Sequence, residues 1–440
     1  MDHTVLSWGR SHKYDHSCEH LERFTPIEQH SFIQNQDTQI TFHGKGRSYG
    51  DVCLNEGKRL ILTAGKDNLI SFDRSSGRLN AYSGITLAQL HQITIPAGWV
   101  VRVSPGTKFV TLGGAVANDV HGKNHHLEGS FGSCVRSLIL VRSNGERMKC
   151  SRSENSDMFA LTLSGLGLTG YIESVELQLK QIRSSHMEVE NIPYDRLETF
   201  YELSAESVDW PYTVAWLDCF SPPKKLGRGI FTRARFCTEG ALVAAESSKK
   251  LTMPIDLPSF ALNRVSISAF NLLYRNRPGA TYKGTQLYDP FFYPLDTIHN
   301  WNRMYGRQGF FQHQSIIPME SRVEGITALL NAIRKKGQGS FLAVLKVHGS
   351  EKSPGLNSFP FEGVSLALDF VNRGKKTISF LHKLDDIVLS YGGRMYPAKD
   401  ALMKPETYQT GYPNWKRLEE ARDPSISSSF WRRVTNNKDQ

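Results

Sequence analysis

The chain has 440 residues with 53 Lys+Arg against 43 Asp+Glu, a formal charge of +10, and is 39% hydrophobic, 22% charged and 10% aromatic. At roughly 150 residues per domain this makes two to three domains with a core that needs no disulfide or metal staple, and the composition excludes disordered, collagen-like and coiled-coil chains. The basic excess favours anionic partners without choosing among nucleic acid, phospholipid and a phosphorylated small molecule.

Short β-type runs at 40–43, 60–63, 100–103, 138–141 and 172–179 alternate with glycine-rich turns, and Val175, Leu177 and Leu179 alternate with polar neighbours as in a half-buried strand. A short helix is predicted over 86–94, with Leu87, Leu90 and Ile93 on one side. The polar stretch 181–186 predicts a boundary, which gives a first domain over 1–184 and a second over 185–393. Within the second, residues 254–284 mix prolines, exposed-looking apolars (Phe260, Leu262, Phe270, Leu272, Leu273, Tyr274) and the basic Arg264, Arg275, Arg277 and Lys283, opposed only by Asp256. That pattern predicts a long mobile loop, either an ordinary insertion packed on the domain or a lid that touches an anionic lipid surface. A helix carrying Val323, Ile326, Leu330 and Ile333 stops at Gly337, and a strand follows over 341–347. A strand over 364–370, a helix with Ile378, Leu381, Leu384 and Val388, and a last short strand at 394–396 complete a sheet with helices on one face, in an α+β fold.

Six cysteines, Cys18, Cys53, Cys134, Cys150, Cys219 and Cys237, include no C-x-x-C pair, which is neither a zinc-site nor a secreted-scaffold pattern and points to a reducing, cytoplasmic setting. The first ten residues lack a signal-peptide pattern, and no run of about 18 apolar residues exists to span a bilayer, so any membrane contact is expected to be peripheral.

Three clusters carry chemistry. Gly44, Lys45, Gly46, Arg47, Ser48, Tyr49, Gly50 and Asp51 follow a strand directly; such a turn can be structural, or can form an anion nest of backbone N–H groups suited to a pyrophosphate. It lacks G-x-G-x-x-G spacing and a following helix, so a Rossmann site is excluded. The second cluster is denser: Pro105, Gly106 and Thr107; Thr111, Leu112, Gly113 and Gly114; Asn118, Asp119, Val120, His121, Gly122 and Lys123; then His125, His126 and the run 129–132. Gly122-Lys123 resembles a P-loop only superficially, because Asn124 replaces Ser/Thr, and the three histidines lack a carboxylate or thiolate at metal-ligand spacing, so no metal is expected. Nor does 164–167 form a hydrolase nucleophile elbow. The third cluster is Tyr396-Pro-Ala-Lys399-Asp400, in which Lys399 is either a solvated surface charge or, facing a ligand, a positioned donor.

Taken with Gly167 and Gly170, these clusters resemble the FAD-binding (PCMH-type) domain of the vanillyl-alcohol-oxidase flavoprotein superfamily. The runs 121–126, 129–132, 222–228, 293–296, 301–306 and 396–400 resemble, within it, the oxidases of polyprenyl-phosphate-linked pentoses, and the similarity extends in order over about 47–424. The resemblance implies a two-domain fold in which an antiparallel-sheet substrate domain is covered by helices and the segment 394–440 returns to the FAD domain. It implies FAD bound by Gly46, Arg47, Ser48, Tyr49, Gly50, Asp51, Pro105, Gly106, Thr107, Thr111, Leu112, Gly113, Gly114, Asn118, Asp119, Val120, His121, Gly122, Ile172 and Tyr396. Covalently flavinylated relatives carry a histidine where this chain has Tyr49, so the FAD is expected to be non-covalent. The implied substrate pocket holds Lys123, Gln314, Lys346, Ser365, Ala367 and Lys399, with Lys399, His121 and Tyr49 as the catalytic candidates and no ranking among the possible bases. The implied reaction oxidises the 2′-hydroxyl of the pentose to a ketone, as the first half of an epimerisation in cell-envelope arabinose biosynthesis. A short-chain reductase would complete the epimerisation, and quinone or oxygen would reoxidise the flavin. Ser365, Ala367 and Phe292 depart from the Asn, Cys and Tyr of mycobacterial members and bear on substrate identity. A soluble alditol or aldonolactone oxidase is the alternative, while a nucleic-acid binder would need a helix-turn-helix, zinc finger or stacking platform that the chain lacks.

Overall fold

The computed structural model describes residues 5–34, 39–245, 251–258 and 260–436. A small parallel sheet orders Ser17–His20, Arg59–Leu62 and Ile40–His43. Beside it lies a five-stranded antiparallel sheet in the order Leu69–Asp73, Arg78–Tyr82, Tyr171–Gln178, Val135–Val141, Arg147–Ser151. The strand predicted over 172–179 is its centre, with Val175 and Leu177 fully buried. The helix Leu87–Thr94 starts at a reciprocal capping box, in which the Thr86 hydroxyl accepts from the Gln89 N–H and the Gln89 side chain accepts from the Thr86 N–H.

The chain then enters a second, eight-stranded antiparallel sheet at His186. Its order is Tyr282–Leu287, His186–Tyr194, Gly229–Phe236, Tyr212–Leu217, Ala343–His348, Gly363–Val371, Phe310–Pro318, Arg394–Met395. The helices Arg322–Lys336 and Lys375–Ser390 pack together and onto this sheet, burying Ile326, Leu330, Ile333, Leu381, Leu384 and Val388. This is the expected arrangement, with Gly337 as the left-handed C-cap of the first helix (φ 69°). Because side chains alternate along a strand, Gln312 and Gln314 on one strand and Ser365, Ala367 and Asp369 on its partner share the face turned away from His313 and Leu368.

Residues 394–436 cross back to the first sheets. Ile426 bridges Ile40 in parallel fashion, the Ser429 N–H donates to the Leu54 carbonyl (2.9 Å), and Arg433 in the terminal helix Ser429–Thr435 pairs with Asp51 (2.6 Å).

The segment 254–284, expected to be a mobile loop, contains the twelve-residue helix Arg264–Arg275. Asn263 caps it by accepting from the Val265 and Ser266 N–H groups, and Asn271, fully buried, donates to Asp218 (2.7 Å). Its residues keep the helical period, but the apolar arc is turned largely outward and a polar Asn271 takes a buried position.

Candidate functional site

The glycine loops, one face of the large sheet and the loop before Lys399 converge on one continuous cavity of about 870 Å³. The strand Ile40–His43 delivers residues 44–49 to its wall, and Thr111 caps the short helix Leu112–Ala117 that presents Gly113, Gly114 and Asn118. The glycines serve two purposes. A Cβ on Gly44 would sit 2.4 Å from Thr111 Oγ1 and one on Gly113 2.8 Å from Ser83 Cβ, so both allow close packing of neighbouring loops. A Cβ on Gly106 or Gly167 would meet no protein atom within 4 Å at the cavity wall. Buried Arg47 Nε and Asn118 Oδ1 have no partner among the described residues. A glycine cradle with unpaired buried polar atoms fits a phosphate-bearing dinucleotide such as FAD, which these loops would hold.

Sixteen of the twenty expected cofactor residues line this cavity: Gly46, Arg47, Ser48, Tyr49, Pro105, Gly106, Thr107, Thr111, Gly113, Gly114, Asn118, Val120, His121, Gly122, Ile172 and Tyr396. Gly50, Asp51, Leu112 and Asp119 do not, and each has a structural reason. Gly50 is pressed against the Asp400 carbonyl, Asp51 pairs with Arg433, and Leu112 is fully buried in the first core. Asp119 accepts from Ser130 Oγ (2.7 Å), the Gly132 N–H (2.6 Å) and Ser358 Oγ, tying the loop that carries His121 to two others.

All six expected substrate residues reach the same space. Lys346 Nζ donates to His121 Nδ1 (2.7 Å) and to the Gly122 carbonyl (2.9 Å), while the Gln314 amide contacts His121 Nε2 (2.9 Å). The Gln314 atom at this contact is Nε2; a neutral imidazole accepting from Lys346 at Nδ1 carries its proton on Nε2, and rotation of the Gln314 amide would bring its oxygen there to accept it. Lys399 Nζ stands 3.9 Å over the Tyr49 ring, and Lys123 Nζ donates to the Phe292 carbonyl (2.8 Å). Ser365 is bonded to His348 Nε2 (2.8 Å), and Ala367 leaves its part of the wall apolar.

Burial lowers the basicity of all three lysines. Lys123 falls to about 7, Lys346 to about 7 with the charges of Lys123 and Lys399 adding to the effect, and Lys399 to about 8 because Asp369 partly offsets burial. Burial, with the positive charge of Lys346, also holds His121 well below the ordinary histidine value. The Tyr49 phenol is pushed well above its usual range by burial and by Asp369.

Asp369 was not singled out in the sequence. It accepts from Tyr305 Oη (2.9 Å) and Gln312 Nε2 (2.6 Å), and burial raises it to about 6. Period-two counting from Ser365 and Ala367 places it on the same face, and was the available signal. Asp296, which accepts from the Lys108 N–H (2.9 Å) and faces Arg47, lines the cavity itself without having been expected there, whereas Asp369 lies buried behind the wall. Among the described residues no cluster of His, Cys, Asp or Glu could hold a metal ion, and no helix is long and apolar enough to cross a membrane.

A glycine-lined cradle joined to a polar pocket on a second sheet fits a dinucleotide beside a polar substrate, residues 30–151 match the model of an FAD binding domain family, and with the relatives that follow this makes the chain an FAD-dependent oxidoreductase acting on a CH–OH group. The chain is 34% identical to the decaprenylphosphoryl-β-D-ribose oxidase of Mycolicibacterium smegmatis over 90% of its own length and 89% of that protein. It therefore belongs to the decaprenylphosphoryl-β-D-ribose oxidase family. It is also 28% identical, over 80% of its length, to the whole of an uncharacterized protein in the mprA 5′ region of Streptomyces coelicolor. An L-gulonolactone oxidase of Mus musculus is similar over only 34% of the chain, at 28% identity.

Proposed function

We propose that the protein oxidises the 2′-hydroxyl of a polyprenyl-phosphate-linked pentose, of the decaprenylphosphoryl-β-D-ribose type, to a keto sugar. The observation that carries this reading is the gathering of Lys123, Lys346 and Lys399 around His121 and Tyr49 in a cavity that runs on, past the cofactor cradle, between Trp216, Val214, Phe270, Tyr274 and Phe341. Cationic groups at the head of an apolar corridor suit a phosphodiester with a hydrocarbon tail. Bound FAD supplies the hydride acceptor.

The protein's own share is orientation and proton handling. Lys399, lowered to about 8, is neutral often enough near neutral pH to take the hydroxyl proton on Nζ, and once protonated it faces Asp369. His121 is the weaker candidate, since Lys346 and Gln314 occupy both ring nitrogens, and they hold it as a fixed wall of the pocket. Tyr49 is weaker still because its phenol resists ionisation. Lys346 and Lys123 would orient the sugar and its phosphate. The FAD is read as non-covalent, with Tyr49 at the place where a linking histidine stands in flavinylated relatives.

In this reading the keto product passes to a short-chain reductase that completes an epimerisation in cell-envelope arabinose synthesis, and quinone or oxygen reoxidises the flavin. The enzyme works at the inner face of the membrane where its lipid-linked substrate is found. Anaerobic titration of the yellow holoenzyme tests the proposal: polyprenylphosphoryl-ribose should bleach the visible flavin band, whereas free alditols and aldonolactones should not. Bleaching by the free sugars alone would replace this reading with that of a soluble sugar oxidase.

A further inference from the structure

The helix Arg264–Arg275 carries an apolar stripe that no described residue covers. Its inward positions are Ile267, Asn271 and Tyr274, the last packed on Trp216 (ring centroids 4.7 Å). Val265, Ala269, Leu272 and Leu273 recur at i, i+4, i+7 and i+8 and point the other way, with Val265 78% and Leu273 73% exposed. Outside the helix, Phe260 (77%), Leu251 and Ile255 are likewise exposed. Isolated exposed apolars need no explanation, but a helical stripe of them does.

Its position gives it meaning. Phe270, on the flank of the stripe, is both exposed and part of the cavity wall, and so are His299 and Asn300. His299 pairs with Thr252 in the short parallel sheet that begins at the exposed Leu251. The apolar corridor therefore opens to the surface beside the apolar stripe. Charge is added at the same place. Among the described residues Arg264 and Arg277 enter no ion pair, their guanidinium groups lying over Phe220 and Tyr274. Lys335 and Lys336 lead into Gly337, where an added Cβ would touch Arg264 Cδ (3.5 Å). The acidic neighbours are already engaged, Asp256 by Arg10 and Asp195 by Lys225 and Arg275.

We infer that the helix Arg264–Arg275, with Phe260, Leu251 and Ile255, is a docking surface for an anionic lipid bilayer that sets the open end of the cavity against the membrane. The inference rests on the proposed lipid-linked substrate. A polyprenyl chain stays dissolved in the bilayer core, so its sugar phosphate reaches Lys123, Lys346 and Lys399 only if the corridor mouth is held at the interface. The exposed stripe enters the headgroup boundary while the arginines meet lipid phosphates.

The test compares the holoenzyme with Val265→Glu/Leu273→Glu, both outward-facing and remote from the cavity lysines. Flotation is measured with vesicles of phosphatidylcholine containing about one third phosphatidylglycerol and with pure phosphatidylcholine. Wild type should bind the anionic vesicles about tenfold or more tightly than the neutral ones, and the double variant should lose most of that binding. With a short-chain, water-soluble polyprenylphosphoryl-ribose the two proteins should turn over alike, while with the long-chain substrate in vesicles the variant should fall behind by a similar factor. Retained flavin absorbance reports that the variant is folded; should it fail to fold, Arg264→Glu/Lys335→Glu, neither residue lining the cavity, takes its place with the same expectations. Equal vesicle binding by wild type and a folded variant, or binding indifferent to lipid charge, overturns the proposal. So does a wild-type dimer in solution that the variant splits into monomers, since the stripe would then join two copies of the chain. If neither protein oxidises the short-chain substrate, the substrate reading fails, while flotation still decides whether the surface docks.

Discussion

Three lysines face one cavity, and each pays for its enclosure in basicity. With folded values of about 7 for Lys123 and Lys346 and about 8 for Lys399, against about 10.4 in the unfolded chain, the unfolded state binds more protons through the interval between. The sign of the linkage follows: stability of the FAD-free protein should rise as pH goes from about 7 to about 8; above that the thiols of Cys53, Cys134, Cys150 and Cys219, pushed up by burial, work in the opposite sense, because the unfolded chain loses their protons first. Urea denaturation across that interval measures this, and a flat or falling profile there would contradict the enclosure of these amines. The same groups make ligand binding proton-linked. An anionic phosphodiester beside them favours their charged forms, so binding near pH 8 should take up protons, which calorimetry in two buffers of different ionisation heat detects. Lys399→Met removes the proposed base and should lower kcat by about a hundredfold or more while the flavin stays bound; rates within a few-fold of wild type would move the proton to another group. Acid precipitation should release all the FAD into the supernatant, as expected with Tyr49 in place of a histidine.

At the scale of elements, the terminal helix Ser429–Thr435 acts on a site it never touches. Arg433 donates to Asp51 at 2.6 and 3.1 Å and to Asp400 at 3.1 Å. Asp51 lies two residues beyond Tyr49, and Asp400 directly follows Lys399, so a single guanidinium sets the spacing between the two strips that place the lysine over the tyrosine ring. Burial and the neighbouring Asp51 push Asp400 upward, and Arg433 opposes both. Arg433→Ala would leave two carboxylates facing each other without a counter-charge, at a cost of about 3 kcal/mol. Thermal denaturation should show a loss of several degrees, and Arg433→Lys should restore little, because a lysine cannot engage both carboxylates with a planar fork. An unchanged Tm would remove this helix from the support of the site.

The legibility of these elements was uneven. The helices Arg322–Lys336 and Lys375–Ser390 were readable because each buries one stripe and exposes the rest, so pattern and packing agree. The helix Arg264–Arg275 was not, although its residues keep the helical period, because its apolar arc faces mostly outward, a polar Asn271 takes a buried position, and prolines lie close on both sides of it. Sixteen of the expected cofactor residues line the cavity because the glycine-dense loops that carry them follow strands and converge at one place. Gly50, Asp51, Leu112 and Asp119 sit in the same runs yet turn away, because each meets a partner that only folding supplies: the Asp400 carbonyl, Arg433, the core of the first domain and Ser358.

At the scale of the molecule, the cavity is built by two sheets and sealed by a third stretch of chain, so its contents should stabilise the whole rather than one part. FAD at about a thousand times its Kd is expected to add about 4 kcal/mol, seen as one cooperative upward shift of the melting transition; two separate transitions, only one of them shifted, would speak for independent halves. Length, composition and pattern determined by themselves that this is a packed α+β protein with a basic excess, because strand alternation and helical stripes are local properties of the chain, and the resemblance of its glycine clusters to a flavoprotein family added the FAD reading. Only the tertiary structure decided which lysines share an electric field, that Asp369 faces Lys399, that His121 has both nitrogens engaged, and that an apolar stripe lies at the mouth of the corridor. Those depend on residues from 49 to 433 meeting in space, and burial, distance and relative orientation are not written in the order of the amino acids. The +10 charge is legible in the sequence, but its division between an enclosed pocket and an exposed rim is a fact of folding.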